Sequence, residues 1–379
     1  MRLLFISGGS AGAVFPLVPL AQAARNAGHE VLFGATENVM PLVSGAGLPG
    51  VPLTSKTMKD FMFVDHNGNQ MGIPPDPHER NLFNGRGMAR LAIGSLEGLI
   101  PLVETWRPDV IVGGKLSYAA PLVAGKYDLP YVRHALNLGE PPIIDLSAAA
   151  ELSPLVERMG LVGLPDAEMF VDTCPPSVRR FDAGPAQFMR YVPFNTQRPV
   201  EPWMLSKGDR PRLFVSAGSR VTRDYEFDTV AQLVQKVSPM DVELLLAAPD
   251  DIVDALGPLP DNVRAGWLPL DVLVRTCDLL VHHAGGNTML TGMVAGVPQL
   301  LIPQMPKQVG PAERLAEHGS AITLRGGEDT AEVIAESARA LLEDGSYRER
   351  AAAMSEEIAG LPAPADVVGE IERRFAGRS

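Results

Sequence analysis

The sequence predicts an α/β protein with two Rossmann-like domains, each built on a parallel β-sheet. Three observations predict this fold class. Short apolar strands alternate with helical patterns along the chain, which is typical of βαβ units. The length of 379 residues exceeds what one ordinary hydrophobic core supports. The alternation also stops and restarts across residues 193–209, a segment with several prolines that is typical of a linker.

In the first half, the apolar runs predict strands at residues 3–6, 30–34, 109–113, 130–133 and 168–172, with helices at 17–27 and 84–106. Gly28 follows the first helix, as expected for a left-handed C-terminal cap. Residues 54–80 are rich in Gly, Pro, Asn and Met and show no lasting periodicity. We therefore expect a functional, mobile loop there, with simple disorder as the alternative.

The second half repeats the pattern, with predicted strands at residues 212–216, 242–247, 278–282 and 298–302 and a helix near 228–236. A last helix at 365–375 follows Pro362 and Pro364, and we expect it to pack back on the first domain. The predicted division is therefore residues 1–200, residues 201–360, and a returning segment at 361–379.

The composition narrows the function classes. A hydrophobic content of 46% with 21% charged residues is typical of a soluble globular protein. The net charge of −12 argues against a nucleic-acid partner, whose phosphates require basic surfaces. Cys174 and Cys277 lie in no metal-binding spacing, so neither a disulfide framework nor a zinc site is expected. No apolar run approaches the ~20 residues of a membrane span, and we predict a cytoplasmic protein without membrane contact.

The most specific motif is an apolar strand that ends in His282 and His283 and continues through Gly285 and Gly286 into a helix starting near Asn287. A helix N-terminus after a glycine turn binds anions, because backbone N–H groups and the positive end of the helix dipole face the ligand. A histidine at the strand end adds a donor for a phosphate oxygen. A plain structural turn is the alternative interpretation.

Together with residues 266–270 and 295–300, this motif resembles the donor-binding domain of GT-B glycosyltransferases from bacterial natural-product pathways. Residues 8–28 resemble the first βα unit of that family. Trp203 and residues 115–118 and 216–220 are most similar to deoxysugar C-glycosyltransferases of aromatic polyketides, of the urdamycin or glycosylated-tetracycline kind. The resemblance implies the GT-B fold, in which two Rossmann-like domains face a cleft and the C-terminal helix crosses back to the N-terminal domain.

The resemblance also implies roles in binding a dTDP-deoxysugar donor without a metal or cofactor. His283 and the backbone of the following helix would contact the diphosphate, and the segment before the motif would contact the base. The implied donor residues are Ser219, Trp267, Leu268, His283, Gly286, Asn287, Thr288 and Gln304. Many relatives carry an Asp-Gln pair in the region of Gln304, and the missing aspartate favours a deoxygenated sugar. Alternatively, Gln304 or Gln308 holds an ordinary hexose.

The sequence also departs from the family pattern at the positions expected for the catalytic base. The first βα turn, residues 11–15, offers no side chain that takes a proton. Asn137 occupies the position where the aromatic C-transferring subgroup has an aspartate, so Glu140 is the nearest carboxylate and our candidate base. Asp145 lies farther along the chain and His134 just before. A phenolic acceptor needs only a weak base. The candidate acceptor-binding residues, several of them in the 54–80 segment, are Ser10, Met58, Met62, Asp65, Met71 and Tyr118.

We therefore predict an inverting glycosyltransferase that moves a deoxyhexose from a dTDP-sugar to an aromatic carbon of a polyketide in antibiotic biosynthesis. One alternative is O-glycosylation of an aromatic or macrolide hydroxyl. A non-catalytic nucleotide-sugar-binding helper and a sugar-nucleotide epimerase are further alternatives. We expect a monomer or a homodimer, with acceptor selectivity in residues 54–80 and 137–151, which we predict to be loops.

Overall fold

The fold, obtained as a computed structural model, is described for residues 1–65, 68–216 and 227–377. The chain forms two compact units. The first comprises Met1–Cys174, Arg180–Arg190 and the chain from Leu361 onward. The second comprises Pro175–Arg179 and Tyr191–Gly360.

The segment expected to be a linker, residues 193–209, belongs to the second unit. Gln197 Nε2 donates to Asp271 Oδ2 over 2.8 Å, and Trp267 Nε1 donates to the carbonyl oxygen of Thr196 over 3.3 Å. These bonds attach the segment to the second unit, whose longer stretch is Tyr191–Gly360. Proline content alone does not reveal such bonds.

The first unit contains a seven-stranded parallel sheet in the order β3-β2-β1-β4-β5-β6-β7. Its strands are β1 (Arg2–Ile6), β2 (Glu30–Thr36), β3 (Gly50–Thr54), β4 (Val110–Gly114), β5 (Tyr131–His134), β6 (Met169–Asp172) and β7 (Gln187–Phe188). The five strands predicted for this half are confirmed, and β3 and β7 are additional. Apolar side chains of the central strands, such as Leu4 and Ile111, are fully buried and form the core with the flanking helices.

The helices of the first unit up to residue 158 are α1 (Ala11–Val14), α2 (Val18–Asn26), α3 (Met40–Gly45), α4 (Met58–Phe63), α5 (Pro77–Trp106), α6 (Ala119–Tyr127) and α7 (Pro142–Arg158). Gly28 has a φ of 89°, which confirms the left-handed position after α2.

Two segments predicted to be loops contain helices. Within residues 54–80, Thr57 and Asp60 form a capping box at the start of α4. Asp76 caps α5 by accepting from the N–H of Glu79, so this helix begins at Pro77 and not near residue 84. Residues 137–151 likewise include the first part of α7. A six-residue helix is too short to show periodicity, which is why α4 was not predicted.

The second unit contains a six-stranded parallel sheet in the order β10-β9-β8-β11-β12-β13. Its strands are β8 (Arg212–Ser216), β9 (Glu243–Ala247), β10 (Val263–Gly266), β11 (Leu279–His282), β12 (Gln299–Leu301) and β13 (Ala321–Thr323). The four predicted strands are confirmed. The helices are α8 (Phe227–Val237), α9 (Asp250–Leu256), α10 (Leu270–Leu273), α11 (Gly286–Ala295), α12 (Pro306–His318), α13 (Ala331–Glu343) and α14 (Gly345–Ala359).

The last helix, α15 (Pro364–Phe375), packs in the first unit, which confirms the predicted return of the chain. Its buried stripe includes Val367, Ile371 and Phe375. The His29 Nε2 atom lies 2.8 Å from Glu372 Oε1 and adds a polar contact to this packing. Among the helices of the described residues, none has the length and apolarity needed to cross a membrane.

Both sheets reverse their strand order once. The reversal falls between β1 and β4 in the first unit and between β8 and β11 in the second. In parallel α/β sheets, ligands bind outside the carboxyl ends of the strands at this switch point. We therefore expect functional side chains directly after β1, β4 and β11, whereas the residues directly after β8 lie outside the described ranges.

Candidate functional site

The carboxyl end of β11 leads directly into a helix N-terminus. Ala284 has a φ of 57°, and this left-handed residue turns the chain sharply between β11 and α11. The first backbone bond of α11 runs from the N–H of Met289 to the carbonyl oxygen of Gly285 over 2.9 Å. The N–H groups of the first turn, at Gly286, Asn287 and Thr288, therefore point beyond the helix N-terminus, where the dipole favours an anion.

His283 lies at this helix N-terminus. Its side chain is half-buried, and its ring covers Gly285 so closely that a Cβ at residue 285 would lie 2.5 Å from His283 Nε2. A side chain at residue 285 would displace the ring, so glycine leaves the space that this ring position needs. The structure thus brings His283 together with Gly286, Asn287 and Thr288, as the sequence predicted, and the arrangement can bind a phosphate.

His282 has a different environment from its neighbour. It is fully buried, and its Nε2 atom lies 2.9 Å from Gln299 Oε1. Burial, together with the nearby His283, lowers the pKa of His282 to about 3. The ring is therefore neutral at physiological pH and does not contribute a positive charge to the anion site.

Trp267 and Leu268 follow β10, at the same edge of the sheet. β10 lies three strand positions from β11, which is roughly 14 Å at the usual strand spacing. The Trp267 ring is oriented by its bond to Thr196 and by the Arg198 guanidinium, 6.0 Å from the ring centroid. Leu268 packs against a buried apolar cluster that includes Phe214, Leu245 and Leu280. An aromatic surface and an anion site thus occupy the same sheet edge.

Gln304 and Gln308 have separate roles at the carboxyl end of β12. The Gln308 side-chain oxygen accepts from the N–H groups of Gln304 and Met305 at 2.9 and 2.8 Å. Gln308 is therefore buried and caps α12, whereas Gln304 is exposed. Of the two, only Gln304 is exposed, and its Nε2 atom donates to the carbonyl oxygen of Ile302 over 3.4 Å. Ser219 lies outside the described residues.

In the first unit, Ser10 precedes α1 at the carboxyl end of β1. Its side chain is half-buried and forms no capping bond. Gly9 packs tightly beside it, because a Cβ at residue 9 would lie 2.7 Å from Thr36 Oγ1 and 3.2 Å from Met58 Cβ. The structure therefore places Ser10 and Met58, both half-buried, at the same end of the sheet.

The other predicted acceptor residues differ in accessibility. Met62 is 7% exposed, and its sulfur occupies the space that a side chain at Gly87 of α5 would fill. It is a core residue and not part of an open surface. The Asp65 carboxylate accepts from both the backbone N–H and the side chain of Asn69, at 2.8 and 3.0 Å, and so closes a turn. Met71 is half-buried after this turn.

A half-buried polar cluster lies where β4 and β5 end. Lys115 Nζ donates to Asp145 Oδ2 over 2.6 Å, and Tyr118 Oη and Arg133 Nη2 each donate to Asp145 Oδ1 over 2.7 Å. Burial would raise the pKa of Asp145, but the charges of Arg133 and Lys115 outweigh it and hold the pKa below its usual value. Burial is the largest cause that lowers the pKa of Lys115. Asp145 is thus a fixed anion that orients Tyr118.

The cluster was not predicted, apart from Tyr118. Lys115 and Asp145 are 30 residues apart, and no sequence spacing links them. Tyr118 itself is 3% exposed, so its hydroxyl holds the cluster together more than it offers a binding surface.

Asn137 and Glu140 lie together in the turn after β5. Asn137 Nδ2 donates to Glu140 Oε1 over 3.0 Å, while Asn137 Oδ1 accepts from the N–H of Gly139 over 3.0 Å. Gly139 has a φ of 101°, a conformation that favours glycine. Asn137 therefore orients the carboxylate of Glu140, a residue that is largely buried, with 9% of its surface exposed.

His134, the last residue of β5, is fully buried. Its Nδ1 atom lies 2.5 Å from the carbonyl oxygen of Ala135, and burial lowers the pKa of His134 to about 4. This ring is poorly suited to proton transfer, because it is inaccessible and weakly basic.

Within residues 1–65, 68–216 and 227–377, no group of three or more His, Cys, Asp or Glu side chains could hold a metal ion.

Comparisons with known proteins extend over both units. Residues 22–218 match the family model of the erythromycin biosynthesis protein CIII-like N-terminal domain, and residues 231–373 match that of the C-terminal domain. The chain is 32% identical over 371 residues to an L-demethylnoviosyl transferase of Streptomyces niveus, covering 97% of this chain and 96% of the relative. It is 30% identical to a 3-alpha-mycarosylerythronolide B desosaminyl transferase of Saccharopolyspora erythraea, covering 100% and 99%.

Among solved structures, the chain is similar to the glycosyltransferase SsfS6 of Streptomyces sp. SF2575 in complex with thymidine diphosphate. The identity is 34%, the TM-score is 0.87, and the match covers 98% of this chain and 99% of the other.

Proposed function

This chain belongs to the erythromycin biosynthesis protein CIII-like family, is a glycosyltransferase with the GT-B fold, and we propose that it transfers a deoxyhexose from a dTDP-sugar to an aromatic carbon of a polyketide. The relatives named above are sugar transferases of antibiotic pathways, and one is known with thymidine diphosphate bound. In this proposal the second unit holds the donor and the first unit holds the acceptor.

The observation that carries the donor assignment is the position of His283 at the N-terminus of α11. Departure of the sugar leaves a nucleoside diphosphate whose terminal phosphate gains negative charge. Helix amides and a histidine donor stabilise that charge more strongly in the transition state than in the ground state, and one such donor is worth about 3 kcal/mol. The Trp267 surface on the same sheet edge suits the thymine base, and exposed Gln304 suits a hydroxyl of the sugar.

The acceptor assignment rests on the side chains after β1 and β5. Among the described residues 8–15 and 134–140, the titratable side chains are those of the inaccessible His134 and of Glu140. A carboxylate is a weak base for an aliphatic hydroxyl but is adequate for a phenol, whose pKa near 10 is like that of tyrosine. The residues of the first unit therefore favour a phenolic acceptor over a macrolide hydroxyl.

The proposed reaction has two linked proton steps. Glu140, oriented by Asn137, accepts the phenolic proton, which raises electron density at the ortho and para ring carbons. One of these carbons attacks the anomeric carbon on the face opposite the diphosphate, a carbon–carbon bond forms, and the electron pair of the broken bond stays with the diphosphate. The ring hydrogen then leaves as a proton to water, the protonated Glu140 returns its proton to the ring oxygen, and aromaticity is restored. The anomeric configuration is inverted.

Transfer to the phenolic oxygen is the second candidate, because deprotonation makes this atom nucleophilic as well. Asp145 does not compete with Glu140 for the role of base, since Lys115, Tyr118 and Arg133 already donate to its two oxygens. The choice between carbon and oxygen depends on which acceptor atom faces the sugar. The likeness of Trp203 and residues 115–118 to the C-transferring subgroup supports carbon.

His283→Ala is expected to weaken thymidine diphosphate binding about tenfold and to lower kcat at least 100-fold, because it removes one donor to the leaving group. Isothermal titration calorimetry and steady-state assays measure the two effects. His318→Ala, which removes a histidine from the end of α12, serves as the matched control and should retain both properties. Unchanged binding and turnover in His283→Ala would overturn the donor assignment.

Glu140→Gln is expected to lower kcat about 100-fold at neutral pH and to flatten the acidic limb of the kcat/KM profile, because the amide accepts no proton. Glu151→Gln removes a carboxylate of α7 that pairs with Arg90 over 3.5 Å, and it is the control. The rate should recover with acceptors of lower phenol pKa. A variant that keeps the wild-type profile would show that Glu140 is not the base.

The linkage itself is tested on the product. The purified enzyme is incubated with a dTDP-deoxyhexose and a panel of polycyclic phenols, and the products are heated in dilute acid. A C-glycoside retains its sugar, and a carbon–carbon correlation at the anomeric position appears by NMR. Release of the sugar by acid would instead identify O-glycosylation and would refute the proposed linkage.

A further inference from the structure

His282 and Gln299 form a polar pair inside the core beneath the β11–α11 turn. His282 is fully buried and Gln299 is 1% exposed. The neighbouring residues of the same strands, Leu280 and Leu300, are fully buried apolar side chains. A buried polar pair among leucines is unfavourable unless its hydrogen bonds are made, so the bonds of this pair indicate what it does.

The hydrogen bonds of the pair have a defined direction. Gln299 Nε2 donates to the carbonyl oxygen of Met289 over 3.0 Å, and a carbonyl oxygen can only accept. The Gln299 side-chain oxygen therefore faces His282 Nε2 at 2.9 Å and accepts from it. Consequently, the hydrogen of the neutral His282 ring is on Nε2, and its orientation is set by Gln299.

Gln299 thereby links both ends of the turn that carries His283. His282 is the last residue of β11, and Met289 lies in the second turn of α11. Gly292 allows this close packing, because a Cβ there would lie 2.7 Å from Gln299 Nε2. The turn includes Ala284 in a left-handed conformation, which persists only where the surroundings impose it.

The ring of His283 lies close to both the ring of His282 and Gly285. Its plane is nearly perpendicular to that of His282, at 81°, with the ring centroids 6.4 Å apart. Its Nε2 end lies over Gly285. A shift of the His282 ring therefore changes the space available to His283.

We propose that His282, oriented by Gln299, is a positioning residue that fixes His283 and the N-terminus of α11 for binding the donor diphosphate. The inference rests on the proposed function, because it concerns the same diphosphate site. His282 acts through His283 and the turn, and it does not touch the ligand. Burial keeps the His282 ring neutral, so the bond to Gln299 persists over the physiological pH range.

Three variants separate the hydrogen bond from space filling. His282→Phe keeps a ring but removes the donor. His282→Gln loses the ring but places a side-chain N–H near the position of Nε2, so that it can still donate to Gln299. Gln299→Leu keeps the approximate volume and removes both bonds. The matched control is Ser355→Ala, which removes the bond from Ser355 Oγ to the carbonyl oxygen of Val294, at the far end of α11.

The readouts are the Kd for thymidine diphosphate, the KM of donor and acceptor, and the Tm. His282→Phe and Gln299→Leu should each weaken thymidine diphosphate binding about tenfold and raise the donor KM without changing the acceptor KM. The double variant should lose little more than either alone, because both residues belong to one chain of bonds. His282→Gln should retain most of the affinity, and Ser355→Ala should bind as the wild type does even where its Tm falls.

A purely structural role predicts other results. In that case binding would follow Tm in all four variants, and His282→Phe would be better tolerated than His282→Gln. Either result would overturn the inference.

A ligand-free measurement separates this inference from the proposed function. Long-range ¹H–¹⁵N NMR of the histidine rings should show the Nε2–H tautomer at His282, and Gln299→Leu should shift the His283 signals whereas Ser355→Ala should not. If the wild type binds no thymidine diphosphate, the proposed function fails and the positioning role is judged on these signals. Unshifted His283 signals in Gln299→Leu refute the positioning role even where thymidine diphosphate binds well.

Discussion

The turn between β11 and α11 determines what the second unit can bind. It has only three residues, and it must reverse the chain while leaving the first amides of α11 directed outward. The left-handed Ala284 and the ring of His283 over Gly285 satisfy both requirements. In the proposed donor site, Trp267 and Gln304 also depend on this turn, because the proposal requires a diphosphate fixed between them along the same sheet edge.

The two units use their polar groups differently. In the second unit, the anion site is built from backbone amides and one accessible histidine, with a neutral histidine and a glutamine buried below. In the first unit, a half-buried charged cluster around Asp145 lies at the sheet edge, and Glu140 lies in the neighbouring turn. The anion site of the second unit suits a ligand that carries its own charge. The polar groups of the first unit suit the proposed acceptor, which is neutral and largely apolar and must lose a proton.

The parts of this protein that depend on local sequence could be predicted. The buried parallel strands are continuous apolar runs, and His283 with residues 286–288 is contiguous in sequence. Strand β3 was missed because only Leu53 is buried in it, so it lacks the apolar run of a central strand. The Asp145 cluster and the Gln299 bond to His282 join residues from separate elements. These contacts could not be predicted from local sequence, because the fold alone brings the residues together. Nor does the sequence reveal that Met62 faces Gly87 of α5.

Mapping thymidine diphosphate on the protein by backbone amide NMR tests the proposed diphosphate site most directly. The amide signals of Gly286, Asn287 and Thr288 should shift strongly with thymidine diphosphate and only slightly with thymidine, because the diphosphate accepts their hydrogen bonds. Equal shifts with both ligands, or strong shifts confined to other parts of the chain, would contradict the proposed site.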